Sequence, residues 1–125
     1  MSDAIYIPTL TFSRRIMVRY CGYLLGNDWL LQRAVELGLG APQTHAEYLE
    51  TILVTARNVR HNSGVYPYTR FRHVKTSRGK AFWCIVFTSD DPHEGLPTSA
   101  PSEERYKALK ELLQRTGPPR WYRGS

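Results

Sequence analysis

Asp90, Asp91, His93 and Glu94 follow one another closely, and they combine carboxylate oxygens with an imidazole, the donor set that a Mg²⁺ or transition-metal enzyme needs. Pro92 and Gly95 lie among them and equally suit a turn of solvating residues. His73 and Cys84 form a second pairing. They meet across a hairpin if Arg78-Gly79 is a two-residue turn, and an imidazole beside a thiol can generate a thiolate nucleophile. A register one residue different sets His73 against Trp83. Cys84 and Cys21 both lie in apolar stretches, so free buried thiols in a reducing compartment are expected rather than a disulfide.

The strongest chemical signal is charge. The chain of 125 residues carries 17 Lys and Arg against 11 Asp and Glu, a net charge of +6. Seven of those cations, Arg57, Arg60, Arg70, Arg72, Lys75, Arg78 and Lys80, fall in a stretch with no carboxylate between Glu50 and Asp90. His61, His73, Tyr66, Tyr68 and Phe71 are interleaved with them. Cations attract phosphates over a Debye length while rings stack on bases, so this segment suits a polyanion. Arginine outnumbers lysine 13 to 4, and its planar fork serves carboxylates and aromatic faces as well as phosphates. An acidic protein partner, or an assembly contact, therefore explains the segment in the same terms.

Other classes lack their signatures. The chain has no P-loop, G-x-S-x-G, H-E-x-x-H or Cys-x-x-Cys, and Gly38-Leu39-Gly40 lacks the third glycine of a dinucleotide fingerprint, so no cofactor is implied. Hydrophobic residues make up 42% and charged residues 22%, the balance of one globular domain spanning 1–125. No run reaches the roughly 18 apolar residues of a membrane span, and the N-terminus lacks a secretion signal, so an intracellular protein of the cytoplasm or nucleus is expected, with no membrane partner.

Ile5–Ile7 before Pro8 reads as an edge strand or extended arm within 1–12. Ile16, Met17, Tyr20, Cys21 and Leu24 fall at helical spacing, which predicts a helix over Ser13–Leu25, although Gly22 and the β-branched content also permit a strand. A second helix capped by Asn27 or Asp28 runs through Trp29, Leu30, Arg33, Ala34 and Leu37 to Gly38. Thr44 with Glu47 is a capping box for a third, whose buried stripe is Leu49, Ile52, Leu53, Ala56 and Val59. Alternation from Tyr66 to Lys75 and the apolar run Ala81–Phe87 then predict a hairpin turning at Ser77-Arg78-Gly79. Ser102 opens a last helix with inner stripe Tyr106, Leu109, Leu112 and Leu113, ended by Gly117-Pro118-Pro119. The end, 118–125, reads as a flexible tail or as one more strand through Arg120-Trp121-Tyr122-Arg123.

The expected fold is thus α+β: three N-terminal helices, an antiparallel β-hairpin and a C-terminal helix packed as one domain. That order resembles a winged-helix protein, which implies a helix in the major groove and the hairpin on the backbone. A second likeness is to RNA-recognition motifs. Arg78-Gly79-Lys80-Ala81-Phe82 is similar to the RNP1 run of that family and Ile5-Tyr6-Ile7-Pro8-Thr9-Leu10 to its RNP2 run, which implies bases stacked on the sheet. Lys80 stands where the first RNP1 aromatic belongs, and Thr9 where RNP2 usually has Asn. The function expected is a non-catalytic module that contacts nucleic acid through Arg57, Arg60, Tyr66, Tyr68, Arg70, Arg72, Lys75, Arg78 and Lys80. The sequence does not set the oligomeric state.

Overall fold

The computed structural model describes residues 18–125. The arm or strand expected in 1–12 and the RNP2-like run Ile5–Leu10 lie outside the described residues. The chain then forms β1 (Arg19–Leu25), α1 (Asn27–Glu36), α2 (His45–Asn62), β2 (Arg70–Lys75), β3 (Ala81–Ser89), α3 (Glu103–Leu112) and β4 (Arg120–Gly124). Short 3-10 turns occupy Tyr66–Tyr68 and Pro92–Glu94.

Among the described residues the fold is α+β and its first element is a strand, with two helices rather than three ahead of the hairpin, which corrects the expectation of three N-terminal helices and with it the winged-helix order. The described part of Ser13–Leu25 is β1, paired antiparallel with β3 on one side and β4 on the other. Gly22 is the reason a helix loses here. A Cβ at that position would lie 2.0 Å from the Ile85 carbonyl oxygen, so only glycine lets the two strand backbones approach. Tyr23 and Leu25 then face the helices while Tyr20 and Leu24 face the opposite side, the period of two that a strand imposes.

All four strands are antiparallel, and the sheet closes on itself in the order β1-β3-β2-β4. With strands 4, 1, 3 and 2 as successive neighbours, the topology is a split βαβ arrangement with an extra helix in the first crossover. Its two edges are joined where Val74 pairs with Gly124 and Lys75 with Arg123. Joining them removes the open backbone edges that invite aggregation. The 118–125 end is therefore a strand from Arg120 onward, and Ser125 continues it by donating its N–H to the His73 carbonyl at 3.2 Å.

β3 lies between β1 and β2, and from Cys84 onward both of its faces are covered, which is why the Ala81–Phe87 run is apolar without alternation. Ile85 and Phe87 join Tyr23, Leu25, Leu30, Ile52, Ala56, Val59 and Leu109 in the core beneath the helices. Cys84 and Val86 join Val74 inside the closed sheet, walled by Tyr20, Leu24, Phe82, Leu96 and Tyr122. Each fully buried Ile or Val of this strand stabilises the fold by roughly 1.5–3 kcal/mol. Cys21 and Cys84 are buried free thiols, and burial pushes both up, Cys21 to about 11.

The helices differ in detail from expectation. Gly26, not Asn27 or Asp28, is the N-cap of α1, and Gly38 beyond its end has φ +80. Thr44 caps α2 by accepting from the Glu47 N–H at 3.1 Å, while the Glu47 carboxylate reaches the Gln43 N–H at 2.9 Å. Ile52, Thr55, Ala56 and Val59 form the buried face of α2, whereas Leu49 and Leu53 are 39% and 49% exposed. The buried stripe expected to include those two leucines is corrected accordingly. In α3 Leu109 is buried, as is Leu113 just beyond its end, and Tyr106 and Leu112 pack against the same core.

Candidate nucleic-acid interface

The hairpin that carries most of the cations turns through Thr76–Lys80. Thr76 accepts from the Gly79 N–H and donates to the Lys80 carbonyl, both at 2.9 Å, and Gly79 adopts φ +81. This register sets His73 against Trp83 and Arg72 against Cys84. The His73–Cys84 dyad is therefore not formed: His73 lies on the outer face, its ring against Trp83 at 4.7 Å, and Cys84 lies inside with its thiol donating to the Ile85 carbonyl.

From Arg70 to Lys75, β2 advances roughly 17 Å, so its cations cannot all serve one small patch. At the Arg70 end they are bound internally. Arg60 donates through Nε to Thr69 Oγ1 at 2.9 Å and through Nη2 to the carbonyls of Thr69 at 2.6 Å and Tyr66 at 3.1 Å. Its guanidinium also lies 4.3 Å from the Tyr66 ring, on which His61 stacks at 4.0 Å. Burial lowers the Arg60 pKa, and the nearby Arg70, Arg72 and Arg57 charges act in the same direction. Arg70 donates to the Thr69 carbonyl at 2.9 Å. Tyr68 packs on the core with the Arg105 guanidinium 4.6 Å from its ring. Arg57 is exposed on α2.

Arg72 forms a bidentate pair with Glu94, Nε to Oε2 at 2.8 Å and Nη2 to Oε1 at 2.7 Å. Tyr20 Oη donates to the same Oε2 at 3.0 Å. The Arg72 hydrogen bonds hold the Glu94 carboxyl below its ordinary value, and burial with the Glu94 contact pushes the Tyr20 hydroxyl up to about 12. The neighbours of Glu94 are similarly engaged. Asp90 Oδ1 accepts the Arg19 N–H at 2.9 Å, and Asp91 Oδ1 caps the His93 N–H at 2.9 Å. Among the described residues no three His, Cys, Asp or Glu side chains gather as a metal site requires. The Asp90–Glu94 run acts as turn caps and an ion-pair partner.

The other end of β2 is different. Arg123 of β4 sits opposite Arg19 on β1 and opposite Lys75 on β2, giving three cations side by side across adjacent strands, each about 5 Å from the next along the backbone. Like charges directly opposite destabilise a sheet. These three side chains make no ion pair with a carboxylate among the described residues, where the pairs formed are Arg33–Glu36, Arg72–Glu94 and Lys110–Glu103. The row borders a shallow cavity of about 290 Å³ lined by Arg19, Lys75, Thr76, Ser77, Trp121, Tyr122 and Arg123. Asp90 approaches it only at the Arg19 backbone. Trp121, 36% exposed, presents its ring on this outer face with the Arg19 guanidinium 5.8 Å away, while Tyr122 points inward. Exposed Arg78 and Lys80 flank the row in the hairpin turn.

No family model, curated protein or solved structure matches this chain.

Of the nine residues expected to contact nucleic acid, Lys75, Arg78 and Lys80 lie at this free surface, Arg60, Tyr66, Tyr68, Arg70 and Arg72 are drawn into contacts elsewhere, and Arg57 stands exposed on α2, apart from the row. Arg19, Trp121 and Arg123 were missed. The alternation of Arg120-Trp121-Tyr122-Arg123, with two aromatic strand formers, was the available signal. The RNP1-like run is split as well: Arg78–Lys80 make the turn and Phe82 packs into the interior, so closure of the sheet covers the face on which that family's aromatics would stack bases.

Proposed function

We propose that this chain is a binding module for single-stranded nucleic acid, which lies across Arg19, Arg123 and Lys75 with a base on Trp121 and further phosphates reaching Arg78 and Lys80. The observation that carries this reading is the cross-strand row of three like charges, which costs stability unless an anion neutralises it. The row runs across the strands, and its width of about 10 Å suits two or three phosphates of an extended strand. An exposed indole beside the row supplies a stacking surface that tolerates any base.

Fluorescence anisotropy of a labelled oligonucleotide, read from 50 to 200 mM salt, tests the proposal. Three phosphate contacts give a slope of log K against log salt of about −2, and five give about −3.5. Binding that ignores salt, or no binding at low salt, rejects it. An acidic protein partner at the same row would share the salt dependence but not the stacking. Oligonucleotide should quench Trp121 fluorescence, measured as the difference between the wild type and Trp121→Phe, while polyglutamate should leave it unchanged.

A further inference from the structure

The large apolar side chains left exposed among the described residues are Val35, Leu39, Leu49, Leu53, Val54, Tyr66 and Trp121, so most of them lie on or just beyond α1 and α2. On α2, Leu53 and Val54 are flanked by exposed Glu50 and Arg57. These four residues have the i, i+3, i+4, i+7 spacing of a single helix face, and at 100° per residue that face points away from the one formed by Ile52, Thr55, Ala56 and Val59. The face is symmetric about the midpoint between Leu53 and Val54. The helix is also polarised in charge: Glu47 and Glu50 stand in its first half, Arg57, Arg60 and His61 in its second.

We propose that α2 is the contact between two copies of this chain, packed antiparallel about a twofold axis at Leu53 and Val54. That axis sets Leu53 of each copy against Val54 of the other and Glu50 against Arg57, so both apolar residues are covered and each charge meets its opposite twice. An isologous contact requires such self-complementarity, and antiparallel helix dipoles favour it. A parallel pairing would set Glu50 against Glu50 and Arg57 against Arg57. Arg57 is thereby assigned to assembly rather than to nucleic acid, and the contact stands independently of the reading of the cationic row.

Sedimentation equilibrium of the full chain, from about 10 to 500 μM, tests the contact, because a single helix pair is a small interface with a dissociation constant on the order of micromolar. The wild type is expected to reach twice the 14.4 kDa monomer mass within this range. Leu53→Glu should be monomeric throughout with an unchanged circular dichroism spectrum, since the residue is exposed. Glu50→Arg alone and Arg57→Glu alone should each weaken association at least tenfold, and the double variant should restore it to within a few-fold of wild type. A wild type that stays monomeric, as it would if another segment of the chain covered α2, overturns the proposal. So does a dimer indifferent to Leu53→Glu, or a double variant no better than the singles.

Discussion

The two ends of β2 carry the same kind of side chain and do opposite things with it. At the Arg70 end, Arg60, Arg70 and Arg72 donate to backbone carbonyls, to Thr69 and to Glu94, and they tie α2, the 3-10 turn and the Pro92–Glu94 turn to the sheet. At the Lys75 end, Arg19, Arg123 and Lys75 stand in a row with no such partners among the described residues. A count of cations in sequence measures potential charge, while the fold decides which of them remain without internal acceptors. Arginines with fixed acceptors build the structure; on the proposed function, those held beside one another without acceptors are the ones that meet an anion.

Reversing the free end should have the largest effect. The triple variant Arg19→Glu, Lys75→Glu, Arg123→Glu is expected to lose at least about 100-fold in oligonucleotide affinity at 50 mM salt, with its thermal midpoint close to wild type. Loss of folding in that variant would merge the two ends into one structural role. At the bound end, Arg60→Ala removes three hydrogen bonds and leaves the buried Thr69 acceptor groups short of a donor, so urea denaturation should register a loss of about 2–3 kcal/mol while the salt slope of binding stays unchanged.

Trp121→Ala should cost about 2 kcal/mol of binding, some thirtyfold in affinity, beyond the modest loss of stability that truncating a partly buried ring brings. A base that does not stack there would leave the affinity unaltered. The smallest effect concerns acid. Glu94 has a folded pKa below its ordinary value because Arg72 hydrogen-bonds its charged form. Its contribution is therefore whole above the unfolded value of about 4.3 and fades as pH falls through the lower folded value. Glu94→Gln should cost about 1 kcal/mol at pH 7 and nothing once both forms are protonated, so its urea midpoints should converge with those of wild type in acid. Equal differences at every pH would remove the ion pair from the account.

Much of the architecture was legible because its determinants are local. The turn glycine at Gly79, the Thr44 cap and the unbroken apolar run of β3 each announce themselves within a few residues. β1 was misread because the reason for its conformation lies elsewhere in the chain, in the Ile85 backbone that Gly22 must clear. The site failed to emerge for the same cause. Glu94 is 22 residues from Arg72, and the row exists only because β4 closes the sheet and brings Arg123 between Arg19 and Lys75. Alternation alone could have suggested β4 as a strand, but not which strands it would join.

The most direct measurement is a backbone amide NMR titration of the protein with a short single-stranded oligonucleotide at low salt. The account predicts shift changes confined to Arg19, Lys75–Lys80 and Arg120–Arg123, together with the Trp121 indole N–H. Changes centred instead on Arg60, Tyr66 and Arg70–Arg72, or none at all, would contradict it.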